Sequence, residues 1–296
     1  MTTAVAAPQA SFIDRNYHLI RRLHSLSGVF PIGLFLIIHL TTNASIVWGK
    51  ALNANTFADR GIDAAGAGVA TLQHEVDFIH STPGLAFVEI GLLWLPILFH
   101  SAVGVAFAST GRFNASRYAY QENWRYVWQR VSGYVGVVFI FMHISSLRWG
   151  WTYGGLMPAF EADAAASSIA THMQKGSAGL LMSAFYLACV LALVFHFANG
   201  LWTAAITWGL TISVGAQRRW GHVCTALGVG LSAATVAAVF GFATLDPAMA
   251  REVEAKFRQP RIEVNETVNL KSKEKVEIRM SEPGTGKAST AEGEQR

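Results

Sequence analysis

The sequence predicts an all-α integral membrane protein with five transmembrane helices. Of its 296 residues, 52% are hydrophobic and only 14% are charged, which is too apolar for an ordinary soluble domain. A helix of about 20 apolar residues crosses the hydrocarbon layer of a bilayer. Apolar runs of that length occur at about residues 24–48, 84–110, 126–149, 177–211 and 222–245.

These runs divide the chain into three parts. Residues 1–23 form an N-terminal segment, residues 24–245 a five-helix domain, and residues 246–296 a polar tail. The tail has too little apolar surface to fold alone, so we expect it to be disordered. The loop at about 49–83 is rich in alanine and glycine and contains DAAGAGVA, which indicates a flexible linker.

Basic residues indicate which side of the membrane each loop faces. The N-terminal segment and the loops after the second and fourth spans contain nine Lys or Arg residues, whereas the two opposite loops contain four. Because basic residues accumulate in cytoplasmic loops, we expect the N-terminus in the cytoplasm. An odd number of spans then places the C-terminal tail on the outer side. The nine residues are Arg15, Arg21, Arg22, Arg112, Arg117, Arg125, Arg130, Arg218 and Arg219.

Several classes of site are excluded. Only two cysteines occur, Cys189 and Cys224, so the chain can form neither a disulfide framework nor a four-cysteine cluster site. The sequence contains no C-x-x-C-H motif for covalent haem attachment, and no Walker or H-E-x-x-H motif. Its net charge of +4 lies in short loops, so nucleic-acid binding is not expected. We therefore expect no dehydrogenase, hydrolase or nucleotide site in this chain.

The first four spans each contain a histidine: His39, His100, His143 and His196. Ionisable residues within a membrane are costly and are candidates for function. A single buried histidine is nevertheless more often hydrogen-bonded to a neighbour than bound to a metal. The depth of each histidine in the membrane therefore matters.

Counting at about 1.5 Å per residue places the four histidines at two depths. His39 lies 11 residues from Lys50 at the outer edge, and His143 is also in the outer half. We name these two the outer pair. His100 and His196 have crossed more than half of the membrane toward the cytoplasm, and we name them the inner pair.

This arrangement is what two b-type haems require. Each haem iron takes one imidazole on either side of the porphyrin, so each haem needs two histidines at one depth on different helices. A tetrahedral or octahedral metal site would instead need three or four ligands at one depth. Gly104 and Gly200 each follow a histidine of the inner pair by four residues and would leave room for a flat ligand, although close helix packing also explains them. The residues thus predict that four of the helices form a bundle that binds two haem groups.

Four segments of these spans resemble the diheme cytochrome b membrane subunit of type B succinate:quinone oxidoreductases, the b558 family that includes the fumarate reductase membrane subunits. The segments are RRLHSLSGVFPIGLFLIIHLTTN, LPILFHSAVG, WQRVSGYVGVVFIFMHI and VFHFANGLWTAAITWGLT. They follow the family order on four successive spans, and the resemblance covers roughly residues 18–245.

The resemblance implies a five-helix anchor in the bacterial cytoplasmic membrane that binds a flavoprotein subunit and an iron–sulfur subunit on its cytoplasmic face. FAD and the iron–sulfur clusters would lie in those partners. This chain would pass electrons through two haem b groups to a quinone, menaquinone being the expected type. The resemblance also implies that His39 and His143 bind the low-potential outer haem, and His100 and His196 the high-potential inner haem.

Further candidates surround the two pairs. His24 matches a family histidine that is not an axial ligand. We expect it near the docking surface or the inner haem, although an interfacial histidine without a special role fits equally well. Arg21, Arg22 and Arg130 could bind haem propionates, although anchoring at the cytoplasmic edge explains them equally well. On the outer side, an intramembrane carboxylate could carry protons for quinone chemistry, or simply lie beside a haem propionate. The quinone-site candidates are Asn43, Glu89, Arg148 and Trp149.

Two other functions fit some of these features. A diheme cytochrome b could serve fumarate reduction, a formate dehydrogenase or a hydrogenase, which the copurifying partners would distinguish. A transporter or channel could use the histidines as a proton relay and would bind no haem. It is disfavoured because the sequence has no internal repeat and no pair of broken helices.

Overall fold

A computed structural model of the protein describes residues 15–110, 121–259, 261–263 and 279–281. Residues 1–14, the loop 111–120 and most of the tail after residue 260 lie outside the described residues. Arg112 and Arg117, which contribute to the predicted orientation, fall in that loop.

The segments long and apolar enough to cross a membrane are Tyr17–Leu52, Leu85–Ser109, Asn123–Trp149, Gly176–Thr207 and Val214–Ala243. The predicted all-α membrane protein with five spans is confirmed. The first and fifth helices begin earlier than predicted, at Tyr17 and Val214, because the helices continue through the polar residues at the membrane edge. A short antiparallel ribbon of β1 (Arg261–Glu263) and β2 (Arg279–Ser281) follows the last helix.

In chain order, the α-helices of the described residues are α1 (Tyr17–Val29), α2 (Ile32–Leu52), α3 (Ala67–His80), α4 (Leu85–Val88), α5 (Leu95–Ser109), α6 (Gln121–Trp149), α7 (Ala165–Met173), α8 (Gly176–Thr207), α9 (Val214–Ala243) and α10 (Pro247–Arg258). The first span consists of α1 and α2, which are separated at Pro31 because proline lacks the N–H that would continue the helical hydrogen bonds. The second consists of α4, a π-helical segment Glu89–Trp94, and α5. Such π-helical segments are frequent at functional sites.

The spans pack into a bundle, and most side chains of the spans are not buried within it. α8 contacts α6 and α9, α1 contacts α5 and α8, and α2 contacts α9. Leu40, Val194, Phe197 and Leu231 form a buried core where α2, α8 and α9 meet. Large apolar side chains such as Phe87, which is 84% exposed, cover the outside, as expected of a surface in contact with lipid.

Three short helices cover one end of the bundle, and we name this layer, formed by α3, α7 and α10, the cap. The three helices contact one another, α3 also contacts α2, and α7 contacts α8 and α9. The core of the cap contains Val69, Ala70, Ala170 and Met182, all fully buried. Helices α3, α7 and α10 follow the first, third and fifth spans, so they lie on the same side of the bundle.

The loop at 49–83, interpreted from the sequence as a flexible linker, is therefore a folded part of the protein. Gly49 and Gly68 allow close packing of helices rather than flexibility. A Cβ on Gly68 would overlap the carbonyl of Ile46, and a Cβ on Gly49 would lie 2.8 Å from Thr71 Oγ1. Small residues let membrane-protein helices approach each other, and composition alone does not distinguish this use from a linker.

The start of the polar tail is also folded. Asp246 caps α10 by accepting a hydrogen bond from Ala248 N at 2.9 Å, and Pro247 occupies the first turn. Val253 and Phe257, four residues apart on one face, are buried in the cap. The disorder expected from residue 246 onward therefore does not hold for residues 247–258, although the division into three domains stays a prediction.

Candidate functional site

The structure brings the four intramembrane histidines together in two pairs. His39 on α2 lies beside His143 on α6, with ring centres 5.9 Å apart and ring planes at 77°. His100 on α5 lies beside His196 on α8, with ring centres 6.1 Å apart and ring planes at 83°. Each pair joins two different helices, and each contains the two histidines that depth counting grouped.

These separations fit two imidazoles on opposite sides of one metal ion. With metal–nitrogen bonds of about 2 Å, two such rings have their centres about 6 Å apart. Among the residues that the structure describes, no group of three or more His, Cys, Asp or Glu side chains is placed to hold a metal ion. The donor set therefore fits a metal that brings its other ligands with it, as haem iron does.

Backbone carbonyls orient both rings of the inner pair. His100 Nδ1 lies 2.9 Å from the carbonyl oxygen of His24, and His196 Nδ1 lies 3.0 Å from that of Gln129. A carbonyl oxygen only accepts hydrogen bonds, so each Nδ1 carries the hydrogen and each Nε2 is free to bind a metal. Neither acceptor was identified from the sequence, because main-chain groups leave no signature in residue types.

A cavity of about 760 Å³ adjoins the inner pair, within the range of about 300 to 1,000 Å³ typical of ligand pockets. His39 and His143 do not line it. A Cβ on Gly28 would overlap the ring of His100, and a Cβ on Gly133 would lie 3.1 Å from His196 Cε1. The glycines that line the cavity, including the predicted Gly104 and Gly200, are Gly28, Gly33, Gly104, Gly133, Gly136 and Gly200.

Arginines lie at this cavity, but not all of those predicted. Arg21 and Arg130 line it, whereas Arg22 is exposed and does not. Arg130 Nε is buried without a hydrogen-bond partner among the described residues. Arg125, counted in the sequence only as a membrane-edge charge, also lines the cavity, donates from Nε to Asn199 Oδ1 at 2.8 Å, and places its guanidinium 4.0 Å from the Trp202 ring centre.

His24 belongs to the inner site. Its ring stacks on that of His100 at 4.0 Å and 14°, and it lines the cavity. Its Nδ1 is buried and has no hydrogen-bond partner among the described residues. The structure thus places His24 against an inner-pair histidine, one of the two locations expected from the sequence.

Side chains, rather than backbone carbonyls, surround the outer pair. His143 Nδ1 lies 3.2 Å from the hydroxyl of Tyr186 on α8, which sequence reasoning missed because tyrosines are common in apolar spans. Asn43 Nδ2 donates to the carbonyl of His39 at 2.8 Å and lies 3.4 Å from His39 Nε2. Phe139 stacks on His143 with ring centres 5.5 Å apart.

The other quinone-site candidates meet at the end of the bundle that carries the cap. Arg148 Nη2 and Glu89 Oε2 form an ion pair at 3.4 Å, although the two residues come from different spans. Trp149 packs edge-on against Trp94, with ring centres 5.9 Å apart. Glu89 is the first residue of the π-helical segment. Asn43 is hydrogen-bonded to His39 rather than to these residues.

Comparison with known proteins identifies the family. No protein-family model matches the chain. The succinate dehydrogenase cytochrome b558 subunit of Bacillus subtilis (strain 168) is 34% identical over 222 residues, which cover 75% of this chain and 95% of that relative. This similarity extends over nearly the whole relative. The chain accordingly belongs to the family of succinate dehydrogenase cytochrome b558 subunits.

Proposed function

We propose that this chain is the membrane anchor of a succinate:quinone oxidoreductase and binds two haem b groups. His100 and His196 bind the inner iron, and His39 and His143 the outer iron. The observation that carries the proposal is that the two pairs place their ring centres 6.1 and 5.9 Å apart on separate helices. Haem bound by these residues would supply one-electron transfer between an iron–sulfur partner and a quinone.

The chain's own residues orient the ligands and hold the charged edge of the inner haem. The carbonyls of His24 and Gln129 keep both inner imidazoles in the tautomer with a free Nε2. Arg21, Arg125 and Arg130 bind propionates, and the unsatisfied buried Nε of Arg130 supports that role. Arg22 does not line the cavity and fits the docking surface instead.

We also propose that the quinone binds at the outer edge. Glu89 and Arg148 form the polar end of the site, Trp149 supplies an apolar wall, and Asn43 lies next to His39 of the outer pair. A carboxylate within the membrane can carry the protons that quinone reduction consumes. Menaquinone is the expected substrate.

The same proposal includes orientation and partners. The cytoplasmic side is the one with more basic residues, where a flavoprotein and an iron–sulfur subunit supply FAD and the clusters. The cap then lies on the outer side of a bacterial cytoplasmic membrane. Similarity to a succinate dehydrogenase subunit favours succinate over formate or hydrogen as the electron source, and succinate oxidation is the expected direction.

Haem quantitation and reduced-minus-oxidised spectra of the purified complex test this function. We expect close to two b-type haems per chain. Replacing His100 or His196 by leucine should remove one spectral component, and replacing His39 or His143 should remove the other, because a haem that lacks one of its two histidines would not be retained. His222→Leu is the matched control, since His222 is exposed at the edge of the fifth span and should leave both components unchanged.

The proposal is wrong if the folded complex contains no haem. The assignment of pairs is wrong if His39→Leu and His100→Leu remove the same component. Copurification of a formate dehydrogenase or hydrogenase subunit, in place of a succinate-oxidising flavoprotein, would instead identify a different electron source.

A further inference from the structure

We propose that Tyr186 is a positioning residue for the outer haem and sets its reduction potential through His143. The inference rests on the proposed function, in which His143 is an axial ligand. It assigns a task to a side chain that touches neither the iron nor the quinone site. It also assigns a task to the cap, which holds Tyr186 in place.

The hydroxyl of Tyr186 lies at the right atom of His143. The distance between Tyr186 OH and His143 Nδ1 is 3.2 Å, which leaves Nε2 of His143 for the metal. Nδ1 must then carry the hydrogen, and the phenol oxygen accepts it. An acceptor at this nitrogen fixes the ring orientation and raises the basicity of the ligand nitrogen. A more basic ligand stabilises ferric over ferrous iron and so lowers the reduction potential.

Tyr186 is held where this hydrogen bond requires it. Phe139 packs edge-on against its ring at 5.2 Å and 86°, and the ring of Phe139 also stacks on His143. Tyr186 also packs against the buried core of the cap, which includes the fully buried Met182 one turn earlier on α8. The phenol is thus fixed between an outer-pair histidine and the cap.

The inner pair shows why this contact is special. Both inner histidines place Nδ1 within 3.0 Å of a main-chain carbonyl oxygen, which no side-chain substitution removes. The hydroxyls of Ser27 and Ser132 lie farther from these nitrogens, at 3.3 Å. The acceptor for His143 is a side-chain hydroxyl. A substitution can therefore remove the acceptor at His143, whereas each inner histidine keeps its main-chain carbonyl in any side-chain variant.

Tyr186→Phe in the complete complex tests the inference, with redox titration of both haems as the readout. Loss of the acceptor should shift the reduction equilibrium of the outer haem toward the ferrous form by about tenfold, equivalent to about 59 mV for one electron. The inner haem should titrate as in the wild type. The electron paramagnetic resonance signal of the outer ferric haem should also change, because the imidazole of His143 is no longer held in one orientation.

Tyr153→Phe is the matched control, since it removes a tyrosine hydroxyl that lies 2.6 Å from Ser145 Oγ near the same end of α6 but not at a histidine. It should leave both potentials unchanged. An outer haem that keeps its potential and its signal in Tyr186→Phe would overturn the inference. Equal shifts in the two tyrosine variants would overturn it as well, because the effect would then not pass through His143.

A second measurement applies if Tyr186→Phe yields no folded complex. Uniform incorporation of 3-fluorotyrosine weakens the phenol oxygen as an acceptor without removing a group. It should shift the reduction potential of the outer haem in the same direction by a smaller amount, and the potential of the inner haem serves as the internal reference. An outer haem whose reduction potential does not change would overturn the inference. A wild-type complex that lacks a second haem would contradict the proposed function instead, so the two failures are distinguishable.

Discussion

The inner and outer histidine pairs have nearly the same geometry but are built in different ways. Ring separations of 6.1 and 5.9 Å and near-perpendicular rings are common to both. Both histidines of the inner pair contact main-chain carbonyls, and the pair adjoins a cavity lined by glycines. In the outer pair His143 contacts the hydroxyl of Tyr186, which packs against the folded cap. Helix positions therefore determine where the histidines meet, and the surroundings determine which groups orient each ring.

The largest effect should come from filling the inner site. Gly28→Leu puts a side chain where a Cβ already overlaps the ring of His100. Overpacking of this kind forces rings out of place, so we expect the inner haem component to be lost while the outer component stays. Spectra normalised to protein content measure both.

Gly230→Leu is the control for this prediction. Gly230 lies on α9 with open space around its Cβ, so the same substitution there should leave both components intact. Loss of the outer component together with the inner one in Gly28→Leu would contradict the separation of the two sites.

A smaller effect, confined to the outer side, should follow from removing Glu254. This buried carboxylate accepts hydrogen bonds from Ala166 N at 2.8 Å, Ser167 N at 3.0 Å and Ser167 Oγ at 2.6 Å, and so holds the start of α7. Glu254→Ala leaves these donors unsatisfied, which we expect to destabilise the cap by about 1 to 3 kcal/mol. Thermal denaturation and limited proteolysis of the complex measure the change.

The adjacent Glu252 provides the matched control. Its side chain is exposed and forms an ion pair with Lys256, one turn later on the same helix. Glu252→Ala should therefore lower the stability of the cap by only about 0.3 to 0.5 kcal/mol. In Glu254→Ala the outer haem should be lost at a lower temperature than in the wild type, with the inner haem unchanged. Equal loss of both haems would show that the cap supports the whole bundle rather than the outer site.

The same contrast explains which features were predictable from sequence. The spans follow from apolar runs, and the grouping of His39 with His143 follows from counting residues along them. The acceptors for His100 and His196 are main-chain carbonyls, which no residue type in the sequence indicates.

Other features depend on contacts that only the fold shows. Gly49 and Gly68 cannot be distinguished in the sequence from linker glycines, and only the positions of Thr71 and of the Ile46 carbonyl show that they allow helix packing. Arg125 was counted as a charge at the membrane edge, although its contacts with Asn199 and Trp202 require the fold.

The smallest effect on stability, and the sharpest test of the outer edge, should come from Arg148→Gln. The side chains of Arg148 and Glu89 are 56% and 25% exposed, so loss of their ion pair should cost less than about 1 kcal/mol. The spectra of both haems should stay unchanged. Quinone reduction by succinate should nevertheless fall about tenfold, as expected for one lost hydrogen bond to a charged group of about 1.5 kcal/mol. Arg251→Gln removes another exposed ion pair of the same 3.4 Å length, between Arg251 in the cap and Glu161, and should leave this rate unchanged. If the two variants reduce quinone equally well, Glu89 and Arg148 are an ordinary surface ion pair, and the quinone site lies elsewhere on the outer half of the bundle.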